Sequence, residues 1–449
     1  MSKTIKLNRG LDIRIKGQAE KVLKECRIPR EYGLRPTDFP GIVPRMIVKE
    51  GDVVKAGSPV FIDKRCPEVL FSSPVSGKIK AVVRGERRKL LEIVIESDAD
   101  ISYENFGSGD PTKMTREQIV EKMQKSGVWS YIRQRPYGII PVGTSIPKSI
   151  FISGFDSSPL APDLEFILKD HVNEIKTAVE VLKKLTSGKV RIGLNTGSSG
   201  SVFDSLQGVE INRFSGKHPA GNVGVHIHHI DPVNKGESVW TVNPQDLVII
   251  GRLFDKGIYD ASRIVALTGS EVKQTGYYKT IVGASIAPIV ENNIVAGNVR
   301  FISGNVLTGI QISENGFLGY GHSQITVIPE GNYHEFFGWA VPGFNKYSHT
   351  KTFLSSLIPG RKYRLDTNYH GGERAFVITG EYEKVTPMDI LPQFLIKSIM
   401  VNDIEKMEKL GIYEVIEEDL ALCEYVCTSK IEVQRILREG ITTIIKELS

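Results

Sequence analysis

The sequence has few cysteines and no long apolar run, and both absences exclude classes of protein. Its 449 residues include four cysteines, at positions 26, 66, 423 and 427. They are too few and too scattered for the disulfide framework of a secreted domain. The longest apolar runs are short, such as Leu247 to Ile250, whereas a membrane-spanning helix needs about 18 or more apolar residues in succession. We therefore expect a chain that does not cross a membrane and that works in a reducing compartment.

The N-terminus lacks an export signal, and neither sign of charge dominates the chain. The opening segment MSKTIKLNRGLDIRIKGQ alternates polar and apolar residues and has no apolar stretch or small-residue cleavage site, so we expect no signal peptide. Lys and Arg total 57 against 52 for Asp and Glu, and the small excess is spread along the chain. This distribution argues against a nucleic-acid partner.

What the sequence does contain is a succession of patterns that predicts several domains. Residues 1–40 form a lead-in with one short strand pattern. Residues 41–100 alternate polar and apolar residues in short runs broken by turn signals, which predicts a small β-barrel or sandwich. Residues 101–260 alternate strand and helix patterns, which is typical of a Rossmann-like α/β domain with a parallel sheet. There SIFISGF, KVRIGLN and LVIIGRLF predict strands, and EIKTAVEVLKKL predicts an amphipathic helix.

The second half of the chain changes character twice more. Residues 261–330 are a run of strand patterns with one helical stretch, and they resemble a soluble ligand-binding β-grasp (SLBB) domain. Residues 331–375 form a connecting segment rich in aromatic residues and glycine. Residues 376–449 predict helices, among them QFLIKSIM, DIEKMEKLG and IEVQRILREGITTIIKEL. The chain is therefore expected to be multidomain, with α/β and α+β parts.

Within residues 41–100, the order VKEGDVVKAGSPVF followed by SPVSGKI resembles the biotinyl/lipoyl carrier domain. Lys64 falls near the position of the carrier lysine, but its distance to Pro74 is about two residues longer than the carrier pattern has. We predict that Lys64 is unmodified, and a swinging-arm lysine is the alternative.

Two C-terminal segments resemble the ligand frame of a ferredoxin cluster but lack most of its ligands. Such a cluster needs four thiolates in the order C-x-x-C-x-x-C-x-x-x-C-P. Cys423 and Cys427 occupy the last two positions of one frame, while Glu417 and Leu420 occupy the first two. In the upstream frame the four positions are Phe376, Thr379, Tyr382 and Thr386. Because two thiolates cannot hold the cluster, we predict a helical ferredoxin-like domain without metal; a two-cysteine metal site or a disulfide is the alternative.

A second cofactor frame also lacks its essential residues. Flavin- and NADH-binding subunits related to complex I place a glycine-rich loop after a helix, so that backbone amides can approach phosphate groups. The corresponding residues here, 127–138, have lost most of the glycines. The side chains of Trp129, Tyr131 and Ile132 would fill the space that a phosphate or flavin ring needs.

Taken in this order, the four signatures resemble the A-subunit family of the Na+-translocating NADH:quinone reductases over the whole chain. The most specific segments are SPVSGKI (73–79), SGVWSYIRQRP (126–136), HPAGNVGVHIHH (218–229), EFFGWA (335–340) and EEDLALCEYVC (417–427). The C-subunits of Rnf electron-transport complexes are similar in order, but they keep the cluster cysteines and the glycine loop. This chain departs from that pattern.

The resemblance implies a peripheral subunit on the cytoplasmic side of a bacterial inner membrane. Its partners would be the other subunits of the complex, especially the integral membrane ones, and the complex would couple NADH oxidation and quinone reduction to sodium export. Flavins and the iron-sulphur centre are implied on other subunits, and quinone is the ligand implied for this one. No tightly bound cofactor and no activity of the isolated chain are expected. The alternatives are a purely structural docking role and an Rnf-type role in flavin or NADH binding.

A quinone headgroup needs a flat apolar slot with hydrogen-bond donors near its carbonyls, which suits combinations of aromatic residues, proline and arginine. Two segments, 32–36 and 133–137, have that composition. The predicted quinone-binding residues are Tyr32, Gly33, Arg35, Pro36, Arg133, Arg135, Pro136 and Tyr137, and no catalytic residue is predicted. The alternative is that Arg35 and Arg135 form structural salt bridges while Pro36 and Pro136 shape turns.

Four histidines near the middle of the chain raise the question of a zinc site, because imidazole is the commonest metal ligand. They are His218, His226, His228 and His229. Alternation along a strand would send His226 and His228 to one face and His229 to the other, and no nearby cysteine or acidic pair completes a tetrahedron. We predict polar packing within the α/β domain, with a metal as the alternative.

Overall fold

A computed structural model describes residues 3–198 and 200–448. Within these ranges, nineteen strands form four sheets and eleven α-helices accompany them. None of the helices in the described ranges combines the length and the apolar character that crossing a bilayer requires.

The barrel region, with strands between residues 31 and 97, is built from two small antiparallel sheets around one apolar core, as the short alternating runs of residues 41–100 predicted. Its strands are β3 (Glu31–Leu34), β4 (Pro44–Met46), β5 (Val53–Val54), β6 (Pro59–Asp63), β7 (Leu70–Ser72), β8 (Gly77–Arg84) and β9 (Leu90–Ser97). The strand orders are β3-β9-β8-β5 and β4-β6-β7. The rings of Phe61 and Phe71 stack with centroids 4.4 Å apart, and both side chains are buried in the core.

The α/β region contains a six-stranded sheet of order β1-β13-β12-β11-β14-β10, parallel except for the edge strand β10. Its strands are β1 (Thr4–Lys6), β10 (Arg133–Arg135), β11 (Ser149–Ser153), β12 (Lys189–Asn195), β13 (Glu210–Ser215) and β14 (Val239–Thr241). Its helices are α1 (Arg116–Ser126), α2 (Leu164–Leu168), α3 (Val172–Leu185), α4 (Val223–Ile230) and α5 (Pro244–Lys256). Ile150 and Ile152 share a core with α3 and α5, while Phe151 between them packs with Ile227 of α4. Helices therefore cover both faces of the sheet.

Two sequence predictions in this region are wrong. The segment from Leu247 to Phe254, expected as a strand, lies within helix α5. An unbroken apolar run does not separate a strand from a buried helix, but Pro244 at the first turn and Gly257, with φ +70° at the end, are helix signals. The segment with three histidines is helix α4 rather than a strand. It connects the parallel strands β13 and β14, and such crossovers are usually helical.

The β-grasp region forms a mixed six-stranded sheet of order β18-β17-β19-β15-β16-β2, in which β15 and β19 are parallel. Its strands are β2 (Leu23–Lys24), β15 (Ser262–Thr268), β16 (Gly276–Ile281), β17 (Val299–Ser303), β18 (Ile310–Ile312) and β19 (Gln324–Pro329). The short helix α6 (Ala287–Val290) packs its buried residues with those of the sheet. The pattern of strands with one helical stretch is confirmed.

The C-terminal region is helical, as its apolar spacing predicted. Its helices are α7 (Glu381–Val385), α8 (Pro392–Met400), α9 (Ile404–Lys409), α10 (Ala421–Val426) and α11 (Val433–Leu448). Leu395, Met407, Leu420 and Leu437 are fully buried in its core. The preceding residues 331–375 include one 3-10 helix, Leu354–Leu357.

The N-terminal segment joins three of the sheets. Strand β1 pairs with β13 of the α/β sheet, β2 pairs with β16 of the β-grasp sheet, and β3 pairs with β9. Leu7 and Ile13 also pack into the core of the helical region. The lead-in therefore has no core of its own and holds the other regions together.

Candidate functional site

The first predicted quinone segment lies where the barrel region meets the β-grasp region. Tyr32 is buried, and the backbone N–H of Gly33 donates to the carbonyl oxygen of Gly283 at 2.7 Å. A Cβ atom on Gly33 would lie 2.5 Å from the ring of Phe317, so a side chain at this position has no space. Pro36 is buried and is the first residue of a 3-10 turn, Pro36–Asp38.

Arg35 and Arg133, one from each predicted segment, come together around Asp38. Arg35 Nη2 donates to Asp38 Oδ2 at 3.4 Å, and that oxygen also accepts from the backbone N–H of Tyr320 at 2.9 Å. The guanidinium of Arg133 lies 5.2 Å from the ring centroid of Phe39. Burial lowers the pKa of Arg133, while the negative charges of Asp246 and Asp38 oppose that change. The barrel, α/β and β-grasp regions thus each contribute to one junction, which we call the three-domain junction.

Three tyrosines and a serine line the inner side of the three-domain junction. Tyr320 Oη and Ser130 Oγ are 2.6 Å apart, Tyr131 and Tyr259 hydroxyls are 2.8 Å apart, and the Tyr259 and Tyr320 hydroxyls are 3.4 Å apart. The rings of Tyr131 and Tyr320 stack at 4.7 Å. Burial raises the pKa of all three tyrosines, so the hydroxyls stay protonated and can donate hydrogen bonds.

A buried ion pair is bonded to the backbone next to this tyrosine cluster. Arg263 pairs with Asp246, and both side chains are almost fully buried. Arg263 Nη1 also donates to the carbonyl oxygens of Tyr320, at 3.0 Å, and His322, at 3.1 Å. The imidazole of His322 is 2.8 Å from Ser303 Oγ, and burial lowers its pKa to about 4. The backbone that carries Tyr320 is therefore fixed by charge-assisted hydrogen bonds.

The second predicted segment divides between two environments. Whereas Arg133 faces the three-domain junction, Arg135 is buried and hydrogen-bonds the carboxylates of Asp419 and Glu418. The Arg135–Pro136 peptide is cis. The carbonyl oxygen of Tyr137 accepts from Arg438 Nη1 at 2.8 Å. The Arg135 end of this segment therefore holds the helical region against the α/β region.

The residues expected to fill the former glycine loop are buried in the core. Trp129 and Ile132 are fully buried, and Tyr131 is nearly so. The ring of Trp129 meets that of Trp240 edge to face at 5.4 Å, and its Nε1 donates to the carbonyl oxygen of Pro141 at 2.8 Å.

The two ferredoxin frames face each other in the helical region. Cys423 Sγ lies 3.2 Å from Thr386 Oγ1, the last position of the upstream frame. Burial, and then the neighbouring Cys427, raises the pKa of Tyr382. Leu420 occupies a ligand position and is fully buried. Burial raises the pKa of the Cys423 thiol to about 12, and both cysteines are free.

Comparison with known proteins assigns the chain to a family. Residues 5–98 match the NqrA N-terminal barrel-sandwich hybrid domain, residues 114–259 match the NqrA second alpha/beta domain, and residues 264–314 match the SLBB model described as the NQRA C-terminal domain. The chain is 40% identical over 446 residues to the A-subunit of the Na(+)-translocating NADH-quinone reductase of Yersinia pseudotuberculosis serotype I, covering 99% of this chain and 100% of that protein. It belongs to the A-subunit family of these reductases. The A-subunit of the Hahella chejuensis reductase is 42% identical with the same coverage.

Membership of the A-subunit family confirms the sequence-based resemblance, the barrel-sandwich region and the SLBB-type region. Among solved structures, the NAD+-reducing NiFe hydrogenase in its H2-reduced state aligns with a TM-score of 0.41 and 10% identity over 75% of this chain and 62% of the hydrogenase chain. That likeness is too distant to carry an argument.

In this member of the A-subunit family, the four histidines have individual partners. His226 Nε2 donates to the carbonyl oxygen of Ala220 at 2.8 Å, and His229 Nε2 donates to that of Pro387 at 2.9 Å. The Asp389 N–H donates to His228 Nε2 at 3.0 Å, so His228 Nδ1 carries the proton that bonds Glu414 Oε2 at 2.6 Å. His218 Nδ1 is 3.0 Å from Ser157 Oγ. No group of three or more metal-ligating side chains is found among residues 3–198 and 200–448.

Polar packing of the histidines therefore extends beyond the α/β region, because His228 and His229 contact the helical region.

Lys64 is exposed where the β6–β7 hairpin begins to turn. Two surface cavities, of about 370 and 320 Å³, lie elsewhere. The first is next to Lys176 and Glu180, the second is next to Lys24 and Tyr278, and none of the predicted quinone-binding residues lines either cavity.

The sequence predictions missed the tyrosine cluster and the Arg263–Asp246 pair. Tyr131 lies in the segment 127–138, which was compared with a glycine-rich loop. Tyr259 and Tyr320 are far from it in sequence, and 128 residues separate Tyr131 from Tyr259. Only the fold brings these positions together, and no local spacing carries the signal.

Proposed function

We propose that this chain is a peripheral subunit of a Na+-translocating NADH:quinone reductase, on the cytoplasmic side of the membrane. The support is similarity along the whole length to proteins that carry that name. The complex would couple NADH oxidation and quinone reduction to sodium export, with flavins and the iron-sulphur centre on its other subunits. The filled ferredoxin frames favour a chain that holds no tightly bound cofactor of its own.

Membership of the complex is tested by affinity purification from membranes. A tagged form of the chain should recover the integral membrane subunits in stoichiometric amounts. A strain without the chain should lose sodium-dependent NADH:quinone reduction in its membranes and regain it on complementation. Recovery of the chain alone, with unchanged reductase activity in the deletion strain, would contradict the proposal.

The proposed site for the quinone headgroup is the part of the three-domain junction formed by Arg35, Phe39 and Arg133, which we call its outer side. The observation that carries this proposal is the guanidinium of Arg133 over the ring of Phe39, next to Asp38, which pairs with Arg35. Arg35 Nε and Asp38 Oδ1 lie 3.4 Å apart, yet each is a buried atom without a hydrogen-bond partner among the described residues. A quinone carbonyl offers the acceptor that Arg35 Nε lacks, and Phe39 offers an apolar face for the ring.

The other predicted residues would act around this pair. Tyr32, Gly33 and Pro36 form the buried wall that fixes the position of Arg35. Arg135, Pro136 and Tyr137 belong to the contact with the helical region, so they would influence the site only through the backbone of β10. Arg133 and Arg35 are expected to donate to a quinone carbonyl and to orient the ring against Phe39.

A photoreactive quinone tests the site in the intact complex. We expect cross-links in peptides that contain residues 32–41, 129–135 or 317–322. Replacing Arg35 and Arg133 together by Leu should reduce labelling at least about tenfold, because the loss of even one charged hydrogen bond costs roughly 1.5–3 kcal/mol and each 1.4 kcal/mol is a factor of about ten in affinity. Arg45→Leu, at an exposed arginine of β4, is the matched control and should leave labelling unchanged.

A purely structural role is the second candidate, and the buried ion pair between Arg135 and Asp419 favours it. Under that role, the photoreactive quinone labels the three-domain junction no more than other surfaces. The third role, flavin or NADH binding of the Rnf type, predicts stoichiometric flavin absorbance in the purified chain. Either result would remove the quinone site from this chain.

A further inference from the structure

The segment from Tyr333 to Lys362 forms a long loop whose two ends are held together on the β-grasp region. Tyr333 Oη donates to Asp366 Oδ2 at 2.7 Å, and Asn368 Nδ2 donates to the carbonyl oxygen of Tyr333 at 2.6 Å. Arg364, just after the loop, fixes the chain to the β-grasp region through two hydrogen bonds to Glu271, at 2.7 and 3.0 Å. We call residues 333–362 the aromatic loop. Loops of this length that are fixed at the base are uncommon and are usually functional.

In the aromatic loop Lys346 is bonded internally, whereas several large apolar side chains face outward. Lys346 pairs with Glu335 and donates to the carbonyl oxygen of Gly338 at 2.6 Å. The most exposed large apolar side chains of the loop are Phe336 (89%), Trp339 (77%), Leu357 (75%), Phe344 (62%) and Phe337 (55%). The rings of Phe336, Phe337 and Trp339 are neighbours, with centroid distances of 4.5 and 6.0 Å. A contiguous exposed apolar patch of this kind marks an interaction surface.

The charge of the aromatic loop identifies the surface that it fits. The loop contains four cationic residues and one carboxylate, Glu335. Because Lys346 pairs with Glu335, the net positive charge rests on Lys351, Arg361 and Lys362. Tryptophan and other aromatic rings favour the headgroup level of a bilayer, and lysine and arginine are attracted to anionic headgroups. A loop with both features matches an anionic lipid surface in polarity and in charge.

We propose that the aromatic loop docks this chain on an anionic phospholipid surface, with Phe336 and Trp339 at headgroup level and the exposed Lys351 and Lys362 against the phosphates. The inference deepens the proposed function, on which it rests for the presence of a membrane nearby. It concerns the surface of one loop, so vesicle binding can succeed or fail independently of quinone labelling and of recovery of the complex.

The three tryptophans provide a direct reporter. Trp129 and Trp240 are fully buried, whereas Trp339 is 77% exposed. Phosphatidylcholine vesicles that contain phosphatidylglycerol should shift the emission of Trp339 to shorter wavelength, protect it from iodide and allow quenching by brominated acyl chains. Trp339→Phe should lose these signals while the chain still sediments with the vesicles.

Co-sedimentation of the full chain with vesicles measures the docking itself. The double variant Phe336→Ser and Trp339→Ser should bind at least about tenfold more weakly, because two large apolar side chains no longer leave water. Val53→Ser, at a 79% exposed valine of β5, is the matched control and should bind as the unaltered chain does. The double variant Lys351→Glu and Lys362→Glu should remove the dependence on phosphatidylglycerol.

Two outcomes would overturn the proposal. One is vesicle binding that neither phosphatidylglycerol nor the Phe336 and Trp339 substitutions alter. The other is a double serine variant that binds vesicles normally but no longer recovers the membrane subunits in affinity purification, since the aromatic loop would then dock on protein. Circular dichroism of each variant shows whether it has folded.

Discussion

At the scale of single residues, His226 shows how burial decides the protonation state of a side chain. Its ring stacks on Phe214 at 4.0 Å, Nε2 donates to Ala220 O, and Nδ1 is buried without a partner among the described residues. Burial lowers the pKa of His226 to about 4. Protonation would leave a buried N–H with no acceptor, so the folded state resists it.

This depressed pKa makes stability depend on pH. Between the unfolded value of about 6.5 and the folded value of about 4, the unfolded state binds more protons, so the free energy of unfolding falls as the pH falls. We predict that His226→Gln reduces the loss of stability between pH 7.5 and pH 5 by about 2 kcal/mol. Chemical denaturation at the two pH values measures this change. His334→Gln, at an exposed histidine, should leave the pH dependence as it was; an equal change in both variants would contradict the assignment.

At the scale of elements, Arg135 of β10 connects the α/β and helical regions. The arginine side chain is 3% exposed, and its partner Asp419 is fully buried. Removing one member of a buried ion pair leaves an uncompensated charge, at a cost of roughly 3–5 kcal/mol. We predict that Arg135→Met lowers the free energy of unfolding by that amount, as measured by denaturant titration.

The pair can be separated from the packing of the same residues. Combining Arg135→Met with Asp419→Asn should recover part of the lost stability, because the fully buried carboxylate is then neutral and the other partner, Glu418, is 40% exposed to water. Arg435→Met is the matched control, since Arg435 forms exposed ion pairs on α11, and it should cost less than about 1 kcal/mol. An equal loss at both arginines would mean that burial of the pair is unimportant.

The elements also show how far the sequence could predict this molecule. Helix α3 and helix α11 were predicted correctly because their apolar residues repeat at helical spacing. Helices α4 and α5 were partly misassigned as strands. A continuous apolar run such as Leu247 to Ile250 has neither the alternation of a strand nor the 3.6-residue spacing of a helix, so the two cannot be distinguished from it. Local composition led to the prediction of Arg35 and Arg133 as site residues, which stays a prediction, but their meeting around Asp38 depends on how three regions pack. Local patterns could not give that information.

At the scale of the whole molecule, the N-terminal segment stabilises sheets that belong to other regions. The carbonyl oxygen of Lys3 accepts from Arg213 N, and Leu7 N donates to Ser215 O, both at 2.8 Å. We predict that a chain beginning at Asp12 loses amide protection along β13, while β8 and β9 of the barrel keep theirs. Hydrogen exchange followed by mass spectrometry measures both. Unchanged protection along β13 would show that β1 adds nothing to the sheet.

The separation in sequence between β1 and its partner β13 also has a consequence for synthesis on the ribosome. The Lys3 N–H donates to Asn212 Oδ1, 209 residues further along, so the first strand waits roughly 10–40 s for its partner at ordinary elongation rates. Strands β13 and β16, in contrast, emerge when their edge partners β1 and β2 are already available. An open sheet edge is a template for pairing with a neighbouring chain. Early synthesis of these strands shortens the time for which each nascent edge is exposed, and so limits aggregation between chains on the same polysome.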